Sequence, residues 1–280
     1  MSGARLTGLL GALLIAALVA LSLAGDRVAG VRFDAQDSEH ALEPPSRAHW
    51  LGTDALGRDL LARVSEGARV SLLVAIGATT LALLIGLGYG LLAGWVGGRV
   101  DGWLMRIVDV VYALPDVLVI VLLIEVLQGT LAAVPDIARR VAALVVALGF
   151  VGWVGIARLV RALVLQAREE LWVEAARALG LSDRRIVLRH VLPNVAGPIL
   201  VAAAFQIPAA ILAESTLSFI GLGIQPPFSS WGTLASDGFE AMRSYPHLIL
   251  FPCLAILLAL VGFHLLGEAL RAALDPRSGS

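Results

Sequence analysis

The chain has 280 residues; 58% are hydrophobic and only 15% are charged, and the mean hydropathy is +0.86. A soluble domain of this length has nowhere to hide that much apolar surface, so the composition indicates an all-α polytopic membrane protein. The net charge of −1 offers no surface for nucleic acid, and all 21 basic residues are Arg, which excludes a Walker A lysine and a Schiff-base nucleophile.

Six segments approach the roughly 20 apolar residues that a membrane helix needs. The first, Leu6–Ala24, carries no charge. It reads as a retained N-terminal helix over residues 1–24. A cleaved signal peptide is the alternative, with Arg5 as its basic end and Ser22-Leu23-Ala24 as a small-residue site. The apolar stretch exceeds the roughly 7–15 residues of a signal core. Residues 25–69 are polar and rich in acids, and become helical near Arg58. They are expected to form an external loop and an amphipathic interfacial helix ahead of span two.

Span two is expected over Val70–Trp95 and span three over Trp103–Gln128. Gly86, Gly90 and Gly94 form a doubled small-xxx-small stripe on span two, suited to close helix packing. Span three contains Arg106, Asp109 and Asp116 near one face, with Tyr112 between them. Arg106 and Asp109 are expected to pair. Asp116 follows Pro115 nearer mid-depth and has two readings: a hydrogen bond closing the backbone gap at the proline, or a lining residue of a water-filled translocation path.

Span four is expected over Val141–Ala157, span five over Val195–Ala213 and span six over Leu248–Leu266. Together residues 70–270 make a five-helix core interrupted by a polar loop at 158–194, with a tail at 271–280. Glu125 and Glu214 fall near outer helix ends and read as interfacial. The Pro226-Pro227 pair makes Ser215–His247 an irregular outer cap. Cys253 has no disulfide partner, and the five His show no close metal-ligand spacing. No cofactor is expected.

If the N-terminus is cytoplasmic, twelve Arg lie inside and nine outside. Seven of the twelve crowd between Arg158 and Arg189, which places the 158–194 loop in the cytoplasm together with both termini.

Within that loop a helix is expected at about Glu169–Leu179. Its apolar side, Leu171, Ala175, Ala178 and Leu179, follows the i, i+4, i+7, i+8 pattern. Glu174 lies in the half favoured by the helix dipole, Ala175 and Ala176 leave room for another surface, and Gly180 suits a left-handed stop. Ser182 is expected to cap a second helix that Pro193 interrupts. Docking on a soluble partner and lying on lipid headgroups remain equal readings of this physics.

The run Ala157-Arg158-Leu159-Val160-Arg161, then Glu174-Ala175-Ala176-Arg177-Ala178-Leu179-Gly180, then Leu192-Pro193-Asn194 resembles the EAA loop of the dipeptide/oligopeptide/nickel permease family of ABC importers. Further blocks outside that loop resemble the same family: His49-Trp50-Leu51-Gly52-Thr53-Asp54, Ala113-Leu114-Pro115, Phe219-Ile220-Gly221-Leu222-Gly223 with Pro226-Pro227 and Ser230-Trp231-Gly232, and the tail Leu274-Asp275-Pro276-Arg277. Residues 128–140 match no block of that family. The resemblance implies the type I importer permease fold with six transmembrane helices. It also implies coupling to the ATPase through Glu174, Ala175, Ala176, Leu179, Gly180 and Pro193, and a tie from Arg158 and Arg161 to the loop, for which plain positive-inside anchoring is the alternative. The implied partners are a second homologous permease, two cytoplasmic ATPase subunits that hydrolyse the ATP, and an external solute-binding protein, all assembled at the bacterial or archaeal inner membrane. Peptides are the implied cargo, with nickel or another small solute as the alternative. An ion-coupled secondary transporter would need paired acids at mid-depth in two repeats, where only Asp116 qualifies. A membrane enzyme would need a His/Asp/Glu or Ser-base cluster, and none is evident.

Overall fold

A computed structural model describes residues 2–131 and 133–274, so the expected tail beyond Leu274 lies outside the described residues. Ten α-helices account for most of the described chain. Helix α1 (Ser2–Ala29) packs along α10 (His247–Leu274). Gly11 makes that approach close: a Cβ there would stand 2.8 Å from the Gly262 carbonyl.

Residues 30–59 then fold as an ordered loop. Its anchor is Asp54, which accepts from Arg58 Nε at 2.7 Å and from Arg63 Nη1 at 2.6 Å, all three residues being buried. Asp59 caps α2 (Leu60–Val96) by accepting from the Ala62 N–H at 3.0 Å. The sequence suggested an interfacial helix followed by a separate span. The structure has one helix of 37 residues, because no proline or left-handed residue interrupts it before Gly97. At about 55 Å it exceeds the roughly 30 Å hydrocarbon core, so some turns stand outside the bilayer.

The third apolar segment is not one straight span. It divides into α3 (Gly98–Tyr112) and α4 (Asp116–Thr130), bent by 90°. Pro115 lacks an N–H and disfavours the helical conformation at Leu114, which accounts for the break. Counting the bent pair once, six segments among the described residues are long and apolar enough to cross a membrane.

Helix α5 (Asp136–Arg168) makes the most extensive interhelical contact, with α2. Gly86, Gly90 and Gly94 face it. An added Cβ would lie 2.7 Å from the Ile156 side chain at Gly86, 2.6 Å from the Ala157 carbonyl at Gly90 and 2.9 Å from the Arg161 carbonyl at Gly94. Beyond α5 come two short helices, α6 (Leu171–Ala178) and α7 (Asp183–Ile186), a π-helical turn (Val187–Val191) and α8 (Leu192–Phe219). Pro193 therefore does not interrupt the second loop helix. It occupies the first turn of α8, where its missing N–H is tolerated, directly after the π turn. Ser182 occupies the N-cap position of α7, but its side chain makes no capping bond.

The segment after α8, expected to be an irregular outer cap, contains α9 (Trp231–Ala241), started by a reciprocal Ser230–Thr233 capping box. Trp231 is fully buried and donates from Nε1 to the Val64 carbonyl at 3.1 Å. Beneath it lies Glu214, which the sequence placed at the interface. The structure buries it completely: Ser71 and Ser218 donate to its two oxygens at 2.8 and 2.7 Å. The segment after α8 folds back as α9 and covers what would otherwise be a helix end.

Candidate functional site

The polar loop leaves α5 at Arg168 and is held to the end of α2 by two arginines. Arg168 donates from Nη1 to the Trp95 carbonyl at 3.0 Å, and the Arg177 guanidinium lies 5.0 Å from the Trp95 ring centroid. Helix α6 is seated by Val173 and Ala176, which pack among Val164, Ile186, Val191 and Val195. Ala176 thus turns inward, away from any incoming surface.

The opposite face is open. Leu171 is 80% exposed and Leu179 82%, and Glu174, Ala175 and Ala178 share that face. The stripe picked out by helical spacing is therefore the one left without internal partners, while a narrower pair of residues does the anchoring.

The end of α6 is a Schellman turn. The Gly180 N–H donates to the Arg177 carbonyl at 2.9 Å and the Leu181 N–H to the Ala176 carbonyl at 3.2 Å. Gly180 has φ of +77°, a conformation costly for residues with a Cβ. Pro193 is exposed at the far end of the loop, and the Asn194 side chain donates to the His190 carbonyl at 2.7 Å beside the π turn.

Arg158 and Arg161 do not reach this loop. The loop begins more than a turn further along α5, so both instead cross to α3. Arg158 pairs with Asp109 at 2.7 Å and lies 4.2 Å over the Tyr112 ring. Arg161 meets Asp101 through both Nε and Nη2. The expected Arg106–Asp109 pair does not form, because Arg158 takes Asp109; Arg106 sits 6.0 Å from the Trp103 ring centroid. Asp116 opens α4 at the break and is exposed on the rim of a cavity. It does not close the backbone at Pro115: no described N–H, backbone or side chain, bonds its carboxylate.

Residues 86–280 match the family described as the binding-protein-dependent transport system inner membrane component. The chain belongs to this family. The permease is 37% identical over 269 residues to the oligopeptide transport system permease protein OppC of Bacillus subtilis, covering 96% of this chain and 85% of that one. It is 44% identical over 235 residues to the dipeptide transport system permease protein DppC of the same organism, covering 84% and 70%. Its fold is similar to that of the MetNI methionine ABC transporter in an inward-facing conformation, with a TM-score of 0.57 and 16% identity over 76% of this chain and 96% of that chain. The permease therefore has the type I ABC importer permease fold and is a membrane subunit of a binding-protein-dependent importer.

Proposed function

We propose that this permease forms half of the translocation path of a peptide importer and is driven through the exposed face of α6. The single observation that carries the reading is that Leu171, Glu174, Ala175 and Leu179 present a continuous unpartnered face on a helix whose other side is locked into the transmembrane bundle. Such a helix moves with α5 and α2, and a soluble partner gripping it moves both. The names of the relatives, oligopeptide and dipeptide permeases, support peptides as cargo.

In this reading the 158–194 segment and both termini are cytoplasmic, and residues 30–59 with α9 face outward. Two ATPase subunits, which bind and hydrolyse the ATP, each grip one loop of a pair of homologous permeases. A binding protein delivers the peptide to the outer face. Closure of the ATPases draws the two α6 helices together, and the stiff α2–α5 contact carries that displacement to the bundle, giving alternating access. Gly180 and Pro193 bound the moving piece, the first by stopping α6 and the second by joining it to α8 through the π turn. Gly86, Gly90 and Gly94 keep α2 close to α5.

The test is Glu174→Arg in the assembled transporter. Transport is abolished and ATPase subunits no longer co-purify, while membrane insertion stays intact. Normal transport by this variant would remove the docking role.

A further inference from the structure

Near the midpoints of α2, α5 and α8, beside the break that starts α4, lies a cavity of about 270 Å³. Its walls are mostly apolar, Ile120 and Leu148 among them. Three polar side chains from three helices also line it: Thr79, Asp116 and Gln206. None of the three has a hydrogen-bond partner among the described residues. The Thr79 hydroxyl is buried and unsatisfied, and neither the Asp116 carboxylate nor the Gln206 amide is bonded by any described group.

Buried polar groups are almost always paired, so a hydroxyl orphaned at this depth points to an occupant that supplies the missing bond. The carboxylate adds a charge. An ionised group facing hydrocarbon costs several kcal/mol, so an exposed Asp beside the midpoints of three apolar helices faces water or a solute. Gly152 leaves room for the amide where it stands: a Cβ there would lie 2.2 Å from Gln206 Nε2, so the Gln206 side chain would have to turn aside.

We propose that this cavity is a solute subsite for the amino-terminal end of a transported peptide. Asp116 receives the α-ammonium group. Gln206 and Thr79 bond the first peptide unit, whose N–H and C=O match an amide and a hydroxyl. The apolar walls take the first side chain. The volume lies just under the roughly 300–1,000 Å³ of ordinary ligand pockets, which suits one end of a peptide rather than the whole. The proposal rests on the peptide-importer reading.

The experiment uses the complete transporter, with its partner permease, ATPases and binding protein, in proteoliposomes. The probe is a mixture of tripeptides whose first residue carries a photoreactive diazirine side chain. It is irradiated during ATP turnover and the adducts are mapped by mass spectrometry. Adducts are expected on the cavity walls, at Ile120 and Leu148. Asp116→Asn and Thr79→Val, both close in shape to the wild type, are each expected to lower uptake and cavity labelling about tenfold, the loss of one strong hydrogen bond, with unchanged affinity of the isolated binding protein. Wild-type uptake with adducts only elsewhere, or with both variants indistinguishable from wild type, overturns the subsite alone. No peptide uptake by the wild type overturns the peptide reading and the subsite with it.

Discussion

Arg161 on α5 grips Asp101 at the start of α3 with two parallel bonds, Nε to Oδ1 at 2.5 Å and Nη2 to Oδ2 at 2.6 Å. One turn earlier Arg158 holds Asp109 on the same helix. The first half of the broken span is thereby fastened to the helix that leads into the loop, so in the proposed mechanism a displacement of α6 would reach α3 as well as α2.

Arg161→Lys keeps the charge but cannot reproduce the planar two-bond contact. The pair is partly screened by solvent, so the expected cost is modest, about 1 kcal/mol, seen as a lower unfolding midpoint of the purified permease in detergent. Transport should fall further than stability does, because the α3–α5 fastening loosens. An unchanged midpoint together with unchanged transport would show that the contact carries nothing.

The α2–α5 seam is tested by two neighbouring glycines. Gly90→Ala drives a methyl to within 2.6 Å of the Ala157 carbonyl and the Val160 side chain, an overpacking expected to cost about 1–3 kcal/mol. Gly88→Ala meets nothing within 4 Å and is expected to be neutral or slightly stabilising, since alanine favours helix. Equal midpoints for the two variants would contradict the close approach.

The loop over residues 30–59 has a defined acid limit. Burial alone would push the Asp54 carboxyl up. Arg63, the Arg58 backbone N–H and the Arg58 side chain outweigh that effect and hold it below its usual value of 3.8. A carboxyl lowered in the folded state stabilises fully above its unfolded value and loses that contribution as the pH drops through the folded one. Hydrogen exchange at Leu56 and Arg58, whose N–H groups bond Asp54, should therefore stay slow at neutral pH and accelerate only below about pH 3.8. Asp54→Asn, which leaves buried Arg63 with Asp237 at 3.3 Å as its remaining carboxylate, is expected to loosen the loop at neutral pH and to cost about 1.5–3 kcal/mol. Exchange that already accelerates between pH 7 and 5 would contradict this.

Much of the loop and of the α2 seam could be read from residue spacing, because both depend on local periodicity. The i, i+4, i+7, i+8 stripe of α6 and the glycine at its end are properties of one helix, and so is the four-residue interval of Gly86, Gly90 and Gly94. Pro115 marked a disturbance in the third segment, though not that it would turn the chain by 90°. What depends on how separate helices are rotated and staggered was not legible. The choice of Asp101 and Asp109 by Arg161 and Arg158 is one case, and the convergence of Thr79, Asp116 and Gln206 is another. Glu214 looked interfacial because nothing local signals that the chain after α8 returns as α9 to cover it with Trp231.

The central claim is that α6 is the handle through which a separate ATPase moves the bundle. A photoreactive benzophenone residue placed at Leu179, irradiated in cells carrying the whole transporter, tests it most directly. The account predicts an adduct with the ATPase subunit that strengthens during turnover; adducts confined to lipid, or to the external binding protein, would contradict it.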